Sequence, residues 1–227
     1  MKTLLAGGLL ITMDRERRVL TGDVLVENDR IAAVLPRDDG QLFRPDGETE
    51  VVDVSGMTVI PGLVQAHMHV TQALFRGLCD DLALMDWLRE RTWPMEAAHT
   101  AESNAASARL AAMELIRSGT TSLVDMGTTL HEDAVFEVMA ETGLRGLFGK
   151  CMMDMGDDLP SLMREDTAAC LRETERLIRR WHMAENGRLR YAVAPRFVPS
   201  CSEKLLLSAR DLARQNGLRL HTHASEN

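Results

Sequence analysis

Two short patterns in the sequence carry metal-ligand chemistry. His67 and His69 flank Met68, and His221 and His223 flank Thr222. Side chains on a strand alternate between its faces, so each H-x-H pair turns both imidazoles to one side. Two nitrogens presented together suit a borderline divalent ion such as zinc or iron. One such pair also arises in strands that bind nothing, but two pairs, each at a strand end, weigh towards a metal. Glu226 stands three residues beyond His223. A metal-activated water needs a proton carrier that is not itself a ligand, and Glu226 is placed for that task, whereas an arbitrary loop glutamate is merely solvated.

Strand ends must hold these residues, and the rest of the chain reads as a series able to supply them. After Gly56 the pattern gives strands at Thr58 to Ile60 running on towards His69, Thr120 to Asp125, Arg145 to Met152, Arg190 to Pro195 and Leu218 to His223. Helical stretches separate them: Asp81 to Arg91, Ala101 to Arg117, Glu132 to Glu141, Glu165 to Ala184 and Glu203 to Gln215. Gly119, Gly143 and Gly217 fall where a left-handed C-cap is wanted, and Thr100 and Ser202 where an N-cap is. Strands alternating with helices make a parallel sheet, either closed into a barrel or open and doubly wound. No glycine-rich phosphate fingerprint follows any strand, and histidine stands at the strand ends instead, which favours the barrel. Residues 1–56 differ: short β-rich runs at Leu9 to Thr12, Val24 to Val26, Ile31 to Leu35 and Val51 to Val54 are parted by turn residues. They form a small β-module, with the boundary near Ser55-Gly56.

Composition limits the partners. The 227 residues are 45% hydrophobic and 26% charged, an ordinary globular balance. A net charge of -8 is a poor footprint for nucleic acid or anionic membranes, and with 4% aromatic residues stacking platforms for bases are scarce. Neither partner is expected. Met1 to Met13 imitates a signal peptide but lacks a small-residue cleavage site, so it reads as a first strand. No apolar stretch nears the roughly 20 residues that span a bilayer. The cysteines at 79, 151, 170 and 201 are widely spaced, which suits a reducing, cytoplasmic compartment.

Val59-Ile60-Pro61-Gly62-Leu63-Val64-Gln65-Ala66-His67-Met68-His69 resembles the first barrel strand of the amidohydrolase superfamily, and His223-Ala224-Ser225-Glu226-Asn227 its fifth. Gln72, Gly149-Lys150 before Met153-Asp154, Glu173 to Arg176, and Pro195-Arg196-Phe197 before Ser200 to Glu203 add to the match, which is nearest to the guanine deaminases of the purine aminohydrolase branch. Gly77 to Trp87 also resembles the branch acting on adenosine-like nucleosides (5′-deoxyadenosine, methylthioadenosine, S-adenosylhomocysteine); triazine hydrolases are a third relation. The resemblance implies a TIM-type (β/α)8 barrel of which five strands are present, following part of a small β-sandwich, with 1–56 and 57–227 as the two domains. It implies His67, His69 and His223 as ligands of one divalent ion, zinc before iron, because no lysine ends the fourth strand to bridge a second. It further implies Glu226 as proton shuttle, Gln72, Arg196 and Phe197 as purine contacts, and a homodimer acting on a small heterocycle.

The family's remaining histidine and aspartate ligands have no counterpart up to Asn227. The expectation is therefore the first half of a longer polypeptide, active only in that longer form. The competing expectation is an inactive half-barrel that serves in assembly.

Overall fold

The computed structural model describes residues 1–37 and 44–225. It divides into two compact units, Met1–Gly62 and Leu63–Asn227. The first is a five-stranded sheet of β1 (Lys2–Ile11), β2 (Val19–Glu27), β3 (Arg30–Pro36), β4 (Thr49–Asp53) and β5 (Thr58–Val59). β1 runs antiparallel to β2, β2 antiparallel to β3, and β4 and β5 both lie parallel to β1. A bulge between Leu5 and Gly8 interrupts the first pairing. Gly7 takes a φ of 84° there and donates its N–H to Asp23, whose carboxylate also accepts from Arg37. The division falls after Gly62 rather than at Gly56, because Thr58 and Val59 still pair with Leu9 and Leu10. Pro61-Gly62 then breaks the strand expected to run through to His69.

The second unit carries a parallel sheet in the order β6 (Leu63–Met68), β7 (Thr120–Asp125), β8 (Arg145–Phe148), β10 (Leu189–Pro195), β11 (Arg219–Leu220), with β9 (Cys151–Met152) also on β10. β8 and β9 are the expected third strand in two pieces. Gly149 lies between them, so close to the Ala192 carbonyl that an added Cβ would collide with it. Five barrel strands are thus present, and the sheet curls enough for histidines of its first and last strands to touch.

Helices cover the convex face. α1 (Leu84–Trp87) passes through a π turn at Leu88–Thr92 into α2 (Trp93–Ala97). The helix therefore outruns its expected end at Arg91: Pro94 has no N–H to give and would clash one turn back, and the wider π turn accommodates it. α3 (Ala101–Arg117), α4 (Glu132–Thr142), α5 (Thr167–Trp181) and α6 (Glu203–Gln215) lie between successive strands. Thr100 and Ser103 form a reciprocal capping box at the start of α3, and Ser202 accepts from the Leu205 N–H at the start of α6. Gly119, Gly143 and Gly217 all have positive φ. α5 stops three residues before the expected Ala184, since Met183 turns left-handed and His182 Nδ1 accepts from the Tyr191 N–H on β10.

Between sheet and helices, Phe136 stacks on Trp181 and Tyr191 and meets Phe148 edge-on. Lys150 is buried in the same layer, bonded to Glu165 and to the Cys151 carbonyl. β6 ends the strand order, and Leu63 and Val64 on its two faces are 52% and 66% exposed. No helix among the described residues is long and apolar enough to cross a membrane.

Gly149→Ala must push β8 and β10 apart. We expect a loss of about 1–3 kcal/mol in denaturant unfolding, larger than the roughly 1 kcal/mol expected for uncapping α3 with Thr100→Ala.

Candidate metal centre

His67 and His69 leave the end of β6 on one side, and His223 follows β11. The Nε2 of His223 lies 3.3 Å from that of His67 and 3.3 Å from that of His69. These three are the metal-type cluster among the described residues, with ligand atoms all within 4.8 Å of one another.

The other ring nitrogens fix which atoms face inward. His69 Nδ1 lies 2.7 Å from the Met126 carbonyl and His223 Nδ1 lies 2.8 Å from the Arg196 carbonyl. A carbonyl only accepts, so each Nδ1 carries its proton and each Nε2 presents a lone pair to the centre. His67 Nδ1 lies 3.1 Å from His221 Nε2. Donation from His67 completes the same pattern, with His221 as its orienting partner. Burial, the Arg196 charge and the neighbouring imidazoles lower His69 to about 3 against the pull of the Met126 bond, and burial with His67 and His223 lowers His221 to about 4. Both rings are neutral at neutral pH, as a ligand and its support must be.

The backbone beyond His69 is pinned. Val70 donates to the Asp125 carboxylate at 2.8 Å, Ser107 on α3 donates to the Val70 carbonyl, and His99 bonds the Thr71 carbonyl at 2.9 Å. Residues 70–75 form a 3-10 turn there. Gln72 on that turn donates to Glu96 at 2.7 Å, and Arg196 donates to the other oxygen of Glu96 at 2.7 Å. Glu96 is wholly buried and Arg196 is 3% exposed. Two of the three expected purine contacts are thus joined through a carboxylate that sequence reasoning missed. Phe197 packs with Leu88, Trp93, Met153, Leu159 and Met163, and lines a cavity of about 490 Å³ beside His223, Leu84 and Met85. Glu226 lies outside the described residues.

Sequence reasoning also left His221 and His99 without roles. Alternation on β11 was a signal for His221, since it shares the face of His223; for Glu96 the Trp93-Pro94 step was the only mark. Asp154, part of the family resemblance, accepts from the N–H and hydroxyl of Ser202 and from Thr167, tying β9 to the starts of α5 and α6.

With fold and cluster in view, the family assignment is direct. Residues 58–227 match the amidohydrolase family, and the chain belongs to it. Among its relatives, a 5-methylthioadenosine/S-adenosylhomocysteine deaminase of Bacillus cereus is 34% identical over 229 residues, covering 100% of this chain and 50% of the relative. Guanine deaminase from C. acetobutylicum, solved with guanine in its active site, superposes with a TM-score of 0.87 at 26% identity, over 100% of this chain and 54% of that one. Atrazine chlorohydrolase of Arthrobacter aurescens TC1, solved with zinc, shares the fold, with a TM-score of 0.87 at 24% identity over 99% of this chain and 53% of that one. The chain spans about half the length of the relatives it matches.

A histidine whose folded pKa lies below its unfolded value contributes stability that is full above the unfolded value and is lost as pH falls towards the folded one. For His69 and His221 that window runs from 6.5 down to about 3 and about 4. The urea midpoint of the metal-free protein should fall on acidification through this window, and less steeply in His221→Gln. A midpoint that stays level there would contradict neutral imidazoles.

Proposed function

We propose that this chain is the metal-binding half of a hydrolytic deaminase that removes an exocyclic amine from a purine-type ring. The convergence of three Nε2 lone pairs carries this reading. Lone pairs that face each other repel unless a cation lies among them, and three neutral imidazoles are a donor set suited to zinc, with iron second. We assign one ion, because β10 ends in Pro195-Arg196 and offers no bridging lysine. A bound ion of this kind lowers the pKa of a water from 15.7 to about 7.

The chain's own residues would do the rest. His67, His69 and His223 hold the ion, oriented by His221, the Met126 carbonyl and the Arg196 carbonyl. Glu226 takes the proton of the attacking water, delivers it to the ring nitrogen next to the reacting carbon, and assists departure of ammonia. Gln72 and Arg196, held by Glu96, address the polar edge of the ring, and Phe197 supplies an apolar wall.

Two substrate classes each have support. The residues Gln72, Arg196 and Phe197 beside the histidines favour a guanine-like base. The 34% identity along the whole chain to a deaminase of methylthioadenosine and S-adenosylhomocysteine favours an adenosine-like nucleoside. Ammonia release from guanine, 5′-methylthioadenosine, S-adenosylhomocysteine and an aminotriazine by the full gene product separates them. Release from none of the four would overturn the deaminase reading.

Metal analysis of that product should give about one divalent ion per chain, and none after His67→Ala. Glu226→Gln should retain the ion and the fold while turnover falls by about 10²–10⁴-fold. A variant within a few-fold of wild type would leave Glu226 as a solvated loop residue.

A further inference from the structure

Behind His69 lies a buried acidic pair that the proposed chemistry does not use. Asp125, the last residue of β7, and Glu132, the first of α4, are 0% and 3% exposed. Asp125 Oδ1 accepts the Val70 N–H, while Asp125 Oδ2 has no hydrogen-bond partner among the described residues and Glu132 is met by the Thr128 backbone. Burial raises Asp125 to about 7, and burial with the charge of Asp125 raises Glu132 well above its ordinary value. Two carboxyls enclosed together oppose each other's ionisation.

The location of the pair is what gives it meaning. Residues 68–70 are gripped at three points by residues 125 and 126. Met126 donates to the Met68 carbonyl at 3.0 Å, His69 Nδ1 donates to the Met126 carbonyl at 2.7 Å, and Val70 donates to Asp125 at 2.8 Å. Backbone atoms supply the acceptor or donor on the 125–126 side in the first two. Only the third depends on a side chain of the 125–126 segment, and it caps the free N–H at the start of the turn that follows the ligand. Glu132 in turn lies against Gly127, where an added Cβ would strike its carboxyl group. Its side chain thus packs onto the segment that carries Met126.

We propose that Asp125, backed by Glu132, is a positioning residue for the metal ligand His69. Asp125 holds the Val70 N–H, and with it the exit angle of the backbone at His69. Glu132 is a buried acid packed behind Asp125 and the Gly127 backbone, and keeps that segment in place. The inference rests on the metal reading above, and orienting partners of this kind typically change metal affinity by about 10- to 100-fold when removed.

Cobalt(II) titration of the chelator-stripped protein, read by visible absorption, tests it, with the thermal midpoint followed alongside. Asp125→Ala should weaken cobalt binding by about 10- to 100-fold. Asp125→Asn, whose amide oxygen still accepts from Val70, should stay within a few-fold of wild type. Val135→Ala, a cavity in the same core, should lower the thermal midpoint without changing cobalt affinity. If Asp125→Ala does not fold, Glu132→Ala replaces it, with the same expected direction. Wild-type cobalt affinity in whichever of these two folds, or an equal loss in Val135→Ala, overturns the positioning role. His69→Ala is the separate control: undiminished cobalt binding there would overturn the metal site itself.

Discussion

Three imidazole nitrogens that carry no proton, two of them 3.3 Å from the third, are an unstable arrangement by themselves. Each Nε2 offers a lone pair to the same small volume, and the carbonyls behind His69 and His223 prevent the rings from relieving the repulsion by moving a proton inward. Something outside the cluster must hold the rings there. The curled sheet does so: β6 brings two of them, β11 the third, and the intervening β7, β8 and β10 set the span between. The rest of the second unit serves that span, from the Phe136 stack beneath the sheet to the caps that end each helix on time.

A second layer of control runs through buried polar groups. Glu96 joins Gln72 on the turn after β6 to Arg196 at the end of β10, so one carboxylate fixes two elements that flank the histidines. Breaking such a buried pair from one side leaves an uncompensated charge, and the loss spreads to whatever the pair positioned. Arg196 has a double duty here, because its side chain meets Glu96 while its carbonyl orients His223. The residue proposed to address the ring with its side chain therefore also orients His223 through its backbone.

Much of this was legible in the sequence, for reasons that differ by element. The H-x-H pairs fixed their own faces by alternation, and the glycine and serine or threonine marks at 119, 143, 217, 100 and 202 placed helix ends to within a residue or two. The family could be read from the same residues. What escaped reading was tertiary. Nothing local to Glu96, Asp125 or His99 says that a partner waits 24 to 100 residues away. The start of β6 was misplaced for a similar reason: Thr58 and Val59 have strand character, but only the pairing with β1 assigns them to the other unit. Glu226 was read from its place three residues beyond His223 as well as from resemblance, and the purine contacts from resemblance; their roles stay proposals.

The π turn at Leu88–Thr92 acts as a single added residue in an otherwise continuous helix. One residue turns an α-helix by about 100°, so the inward aim of Glu96 is a matter of counting as much as of chemistry. Removing one residue from this turn would leave the amino-acid types unchanged and still carry the carboxylate round to another side of the helix. A one-residue change of length in this stretch would therefore part the carboxylate from Gln72 and Arg196, and it would escape any comparison that scores only which residues are present.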